Sequence, residues 1–227
     1  VNPTVTVTDV DSADFDTGTL TVTITTGGTA NDLLAIENVG TGAGQISVSG
    51  STVSYEGVAI GTFVGGTGTT DLVVTLNAAS DDVAAQALMR AIQYDNVSDA
   101  PSTAARAVDM TLTDGDGGSA IASTSVSVTP VNDAPTLGTP SLTINNAQTK
   151  IITLADLGNV TDVDDANTAV SVTVSAVTNG QFENTSAAGA AIVTFTLQQV
   201  VDGDIQFVHA GNGTAPTFSV TAADDDS

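Results

Sequence analysis

Val131-Asn132-Asp133-Ala134-Pro135 decides how this chain is read. It is a short polar stretch closed by a proline, set between two segments that follow one acidic plan. Each segment opens on a Thr-Asp-Val-Asp turn, with Asp9 and Asp11 in the first and Asp162 and Asp164 in the second. Each later reaches a second acidic turn, Asp114-Gly115-Asp116 and then Asp224-Asp225-Asp226. Working outward from the linker, the expected domains are residues 1–131 and 132–227.

Composition points the same way. Of 227 residues, 41% are hydrophobic but only 4% are aromatic, so the cores must be built mainly from Val, Ile, Leu and Ala. Thr and Val alternate in runs such as Leu20-Thr21-Val22-Thr23-Ile24, the two-residue period of a half-buried strand. Further strands are expected at Ile46–Val48, Leu72–Leu76, Ala91–Tyr94, Ala107–Thr113 and Ser123–Thr129, and in the first segment Val5-Thr6-Val7 alternates in the same way. In the second segment they are expected at Ser141–Ile144, Ile151–Leu154, Val170–Ser175, Ile192–Leu197, Ile205–Val208 and Phe218–Ala222. One short helix is expected from Asp81 to about Met89, capped by Ser80, with acids in its first turn where the dipole favours them.

The segments align in their later halves: Ile92-Gln93-Tyr94 matches Ile205-Gln206-Phe207, and Ala100-Pro101-Ser102 matches Ala215-Pro216-Thr217. The first has extra residues in its Gly-rich middle. The expected fold is all-β, two tandem antiparallel Greek-key β-sandwiches, the second lacking its last strand. The opening Val1-Asn2-Pro3-Thr4 is a shortened copy of the linker, so the chain is expected to be part of a longer tandem protein.

Charge is the outlier. There are 26 acids against 3 bases, a net charge of −23, and all the acids except Glu37, Glu56 and Glu183 are aspartates. Asp is short, tolerates turn geometry and is a common loop ligand for hard cations. Two carboxylates about 4 Å apart repel by about 1 kcal/mol in water and about 4 kcal/mol at a near-surface dielectric. A divalent cation reverses that sign. With no Cys and one His, zinc and copper have no suitable donor set, and calcium fits the loose mixture of oxygen ligands. The candidate ligands are Asp9, Asp11, Asp14, Asp16, Asp114 and Asp116 in the first segment. In the second they are Asn132, Asp133, Asp162, Asp164, Asp165, Asn167, Asp224 and Asp226.

The acidic surface disfavours nucleic acid as a partner, and no apolar run approaches membrane-spanning length. His209 has no hydrolase-type serine elbow and reads as structural, so no catalytic residue is expected. The glycine clusters Gly40-x-Gly42-x-Gly44 and Gly65-Gly66-x-Gly68 lack the lysine and helix of a phosphate loop and read as turns. Tyr55, Phe63, Tyr94, Phe195, Phe207 and Phe218 read as core anchors.

These motifs resemble the cadherin-like tandem repeats of large bacterial surface adhesins. Asp162-Val163-Asp164-Asp165-Ala166-Asn167 is similar to the cadherin Asp-x-Asp turn with a trailing Asn. Asn132-Asp133-Ala134-Pro135 is similar to the inter-repeat Asp-x-Asn-Asp-Asn-x-Pro, although Pro130 stands at the leading Asp and Ala134 at the second Asn. The stretch from Asn179-Gly180-Gln181-Phe182 to Asp204-Ile205-Gln206-Phe207-Val208-His209 also resembles chondroitin-sulfate-proteoglycan-type repeats. The resemblance implies a calcium-stiffened, extracellular or cell-surface adhesive module without enzymatic activity. Its junction site would use Asn132, Asp133, Asp162, Asp164 and Asp224, while Asp9, Asp11 and Asp114 would face a preceding module. The implied partners are neighbouring repeats of the same protein. The alternatives are a subunit of an extracellular fibre, sheath or surface layer, completed by a strand from another copy, and an accessory module that binds surface glycans.

Overall fold

The structure is a computed structural model that describes residues 1–225; Asp226, one of the expected ligands, lies outside the described residues. The chain divides into two compact units, Val1–Pro130 and Val131–Ser227. Each has its own apolar core, and β-strands dominate both.

The first unit contains β1 (Thr19–Thr26), β2 (Asp32–Ile36), β3 (Ile46–Ser49), β4 (Thr52–Tyr55), β5 (Val58–Gly65) and β6 (Leu72–Leu76). Helix α1 (Asp82–Arg90) follows, then β7 (Ile92–Asn96), β8 (Arg106–Thr113) and β9 (Ser119–Val126). Seven strands form one antiparallel sheet in the order β3-β4-β5-β6-β1-β8-β9, while β2 pairs with β7. The alternation sets which face is buried: Leu20, Val22, Val108 and Met110 are fully covered, and Thr21 and Asp109 between them are not. Leu34 and Ile36 of β2, Ile92 of β7, and Leu88 and Met89 of α1 complete the same core from the other side.

The Gly-rich middle of this unit is the β3–β4–β5 meander, which extends the sheet. Tyr55 pairs with Val58 across a two-residue turn in which Glu56 has φ 50° and Gly57 φ 82°. Two successive positive φ values define the tight hairpin turn whose twist matches that of its strands.

The second unit contains β10 (Thr149–Ile151), β11 (Ser171–Thr178), β12 (Gly180–Asn184), β13 (Ala191–Ile192) and β14 (Thr194–Thr196). The short helix α2 (Leu197–Val201) leads to β15 (Ile205–His209) and β16 (Thr217–Ala223). Two sheets result, β10-β15-β12-β13 and β14-β11-β16. Phe182 on β12 is the hub of the core. Its ring lies 5.1 Å from Phe207 in its own sheet, and 5.1 Å from Phe218 and 6.1 Å from Phe195 in the facing sheet. This packing of two antiparallel sheets is the all-β sandwich expected from the alternation.

Several local expectations are corrected. Asp81, not Ser80, caps α1: its side chain accepts from the Ala84 N–H at 2.8 Å. Ser80 is fully buried and its hydroxyl has no hydrogen-bond partner among the described residues. Val5-Thr6-Val7 alternates like a strand but pairs with none among the described residues; on one side, α1 side chains take up the backbone groups of Val5 and Val7. Gln86 accepts from the Val7 N–H at 3.3 Å, and Arg90 Nε donates to the Val5 carbonyl at 2.8 Å. Ser141–Ile144 is also irregular; Leu142 and Ile144 rest on the core without joining a sheet. The last strand of the first unit begins at Ser119, four residues early, because β8 and β9 already pair at Thr113–Ser119 across the acidic loop.

Candidate metal centre

The site of the second unit is assembled by pairing outside its two sheets. Thr136 and Thr161 exchange backbone hydrogen bonds at 2.8 and 3.0 Å, and the Gly138 N–H donates to the Gly158 carbonyl at 2.7 Å. Residues 133–138 therefore run antiparallel to 158–164, which brings Asp133 to the acidic turn. The Asp133 N–H donates to Asp164 Oδ2 at 2.8 Å.

The turn is held by Asp162, whose Oδ1 accepts from the N–H groups of Asp164 at 2.9 Å and Asp165 at 2.8 Å. This leaves Oδ2 of Asp162 free of that duty. Across the sheet β11 pairs with β16 up to Ser171–Ala223, so Asp224 follows directly and lands beside the turn that precedes β11. Asp224 is 7% exposed. Carboxylate oxygens of Asp162, Asp165 and Asp224 all lie within 4.8 Å of one another.

Two features make this group a fit for a hard cation. Its donors are all carboxylate oxygens, with neither nitrogen nor sulfur among them. Moreover, Oδ2 of Asp162 and Oδ1 of Asp164 are buried and accept no hydrogen bond among the described residues. A buried acceptor left unsatisfied costs about 1–3 kcal/mol, more when charged. At a near-surface dielectric each carboxylate pair at this spacing repels by about 3 kcal/mol. A hard cation with flexible oxygen coordination, such as calcium, would relieve both costs.

Among the other residues selected from sequence, Asn132 is exposed, and Asn167 is exposed with its carbonyl accepting from the Gln198 N–H at 2.8 Å. Asp164 turns to Asp133, and Asp165 instead joins Asp162 and Asp224.

The first unit repeats the turn but not the spacing. Asp9 Oδ1 accepts from the N–H groups of Asp11 and Ser12, each at 3.1 Å, as Asp162 does from its successors. Those backbone bonds hold the Asp9 carboxyl below the usual carboxylate range. A side-chain hydrogen bond to Asp9, then the charges of Asp9 and Asp114, push Asp11 up. Asp14 accepts from the Asp16 N–H at 3.0 Å. Asp114 closes its own loop: Oδ1 accepts from Asp116 at 2.8 Å, Gly117 at 3.0 Å and Gly118 at 2.9 Å. Among the described residues, no three carboxylates of this unit approach as closely as those of the second.

Sequence reasoning overlooked Asp82, which receives the Asp9 N–H on both oxygens at 3.1 and 3.2 Å. It also overlooked the buried ion pair of the first unit. Arg106 and Asp32 are fully covered, with Nη2 and Oδ1 3.3 Å apart. Burial would raise the Asp32 carboxyl, but hydrogen bonds from Tyr94, Thr29, Asn96 and Arg106 outweigh it and hold the group at about 2. A lone arginine opposite an aspartate 74 positions away leaves no local signal.

His209 is 6% exposed; Nδ1 accepts from the Gly211 N–H at 2.9 Å, and Nε2 lies 2.9 Å from the Thr214 carbonyl. These contacts tie down the loop after β15. Gly66 has φ 88° and receives the Leu34 N–H at 2.7 Å; a Cβ there would sit 2.2 Å from the Leu34 carbonyl oxygen. Close backbone approach explains that glycine cluster.

Residues 135–227 match a cadherin-like family model. The second unit is thus similar to a cadherin-like domain over nearly its whole length, a kind of module with an adhesive or structural extracellular role. No curated protein and no solved structure matches the chain. Among the described residues, no helix is long and apolar enough to cross a membrane.

Proposed function

We propose that this chain is a calcium-stiffened structural and adhesive part of a large bacterial cell-surface or secreted protein. The observation that carries the reading is the convergence of Asp162, Asp165 and Asp224 beside the buried carboxylate oxygens of Asp162 and Asp164. A bound calcium would join the Asp162 turn to the end of β16. Because Asp133 is hydrogen-bonded to Asp164, it would also fasten residues 133–135 to the body of the unit. A tandem protein gains stiffness when the segment leading into each module loses its freedom, so neighbouring repeats of the same protein are the natural partners. The match to a cadherin-like family supports an extracellular location and a role in adhesion and not in catalysis.

Calorimetric titration of calcium into the chelator-treated chain tests this, with magnesium as control. Calcium should bind and raise the melting temperature, and Asp162→Asn with Asp224→Asn should abolish both responses. Identical melting in calcium and chelator, with no heat of binding, would remove the proposal.

A further inference from the structure

Strand β9 ends the seven-stranded sheet. One edge pairs with β8 without a break from Arg106–Val126 to Thr113–Ser119, and the other edge pairs with no strand among the described residues. Edge strands are usually protected by charge, proline or a bulge. Ser119–Val126 reads Ser-Ala-Ile-Ala-Ser-Thr-Ser-Val and has none of these, and Ile121 is 64% exposed.

A second open edge faces it across a groove of about 430 Å³, also within the first unit. That wall is Val5–Val10, where burial alternates as in an extended strand. Val5, Val7 and Asp9 spend backbone groups on Arg90, Gln86 and Asp82. In an extended segment, the intervening Thr6 and Thr8 turn their backbone groups the other way, and their N–H groups have no partner among the described residues. The floor between the walls is apolar, formed by Phe15, Met89, Leu112 and Ala122. Val10, on the rim, is 98% exposed.

Charge selects the occupant. Asp9, Asp11 and Asp114 line one part of the groove and make that end acidic. The three bases of the chain are already engaged: Arg106 on Asp32, Lys150 on Asp156, and Arg90 on the Val5 carbonyl. A second copy, itself at −23, would approach against repulsion and bring no free cation.

We propose that the groove between Val5–Val10 and β9 receives one extended segment of another protein, in which apolar residues alternate with small ones and a lysine or arginine ends the run. Its backbone pairs with both open edges, its apolar side chains cover the floor, and its cation meets Asp9, Asp11 and Asp114. This is strand addition at a sheet edge, with main-chain bonds giving affinity and the charged end giving direction. It does not rest on calcium binding in the second unit.

The test uses the whole chain in chelator and two fluorescein-labelled peptides, Arg-Val-Thr-Val-Thr-Val-Ser and its counterpart beginning with Glu. Fluorescence anisotropy should show the arginine peptide binding at least about ten-fold more tightly. Bound peptide should slow hydrogen exchange at Thr6, Thr8 and along β9. Ile121→Lys, at a side chain already exposed, should weaken binding at least about ten-fold without moving the melting temperature, whereas Ile121→Val should bind normally. Asp162→Asn in the second unit should leave peptide affinity unchanged whether or not that unit binds calcium. The idea fails if neither peptide binds at millimolar concentration, if both bind equally, or if exchange at these amides is unaffected. It also fails if the chain self-associates in a way that Ile121→Lys removes, because a second copy would then be the occupant.

Discussion

Asp133 donates its backbone N–H to Oδ2 of Asp164 at 2.8 Å, tying the first residues of the second unit to its acidic turn. The bond is exposed, so water replaces a lost acceptor and the cost of removing it is small. In chelator Asp164→Ala loses this bond but also removes the buried Oδ1 that accepts no hydrogen bond among the described residues, so the stability of the second unit should change by no more than about 1 kcal/mol. The clearer readout is local: amide exchange at Asp133 should accelerate while the core amides of β11 and β16 stay protected.

Asp224→Asn should change sign with calcium. In chelator it removes a charge from a crowded carboxylate group, so the second unit should melt higher; a gain of about 1 kcal/mol reads as roughly 4–8 °C for a domain of this size. In calcium it removes a ligand, and the same variant should melt lower than wild type. Circular dichroism melts in both conditions check it, and curves that shift the same way in each would argue against a cation at this group.

Arg106→Met should be among the most damaging single changes in the first unit. It leaves the Asp32 carboxylate buried without its cation, a loss of about 3–5 kcal/mol. Replacing both, with Asp32→Leu added, should recover a large part. Tyr55 and Tyr94 are the only tyrosines and both lie in the first unit, with no tryptophan in the chain. Tyrosine fluorescence during urea unfolding therefore reads this unit alone.

Asp32 also predicts a pH dependence. Its folded value of about 2 lies below the unfolded carboxylate value of about 3.9. Its stabilisation is therefore complete above about pH 4 and drains away as the pH falls towards 2. Tyrosine-monitored melting should decline through that window, and Asp32→Asn should flatten the decline although it lowers stability at neutral pH.

The helix cap offers a paired test. Asp81→Ala should cost about 1 kcal/mol, since it removes the acceptor of the Ala84 N–H. Ser80→Ala should be neutral or stabilising, because the buried hydroxyl has no partner among the described residues. The same tyrosine-monitored urea transition compares them.

The alternation of Thr and Val was enough to declare an all-β chain, because a two-residue period has one physical solution when one face is buried. It located β1, β6, β8 and β15 to within a residue or two, and the acidic turns put Asp162, Asp164, Asp165 and Asp224 among fourteen candidate ligands. Alternation could not tell a paired strand from a strand-like segment. Val5–Val7 and Ser141–Ile144 have the pattern, but partners distant in sequence decide where their backbone groups bond. In the same way, nothing local distinguishes Asp164 from Asp165. The end of β16 sets which carboxylate meets Asp224, and the register of β16 against β11 is a property of the folded sheet. The Arg106–Asp32 pair and the open edge of β9 belong to that second class. Each depends on residues far apart along the chain, and only the packed structure brings them together or leaves them unpaired.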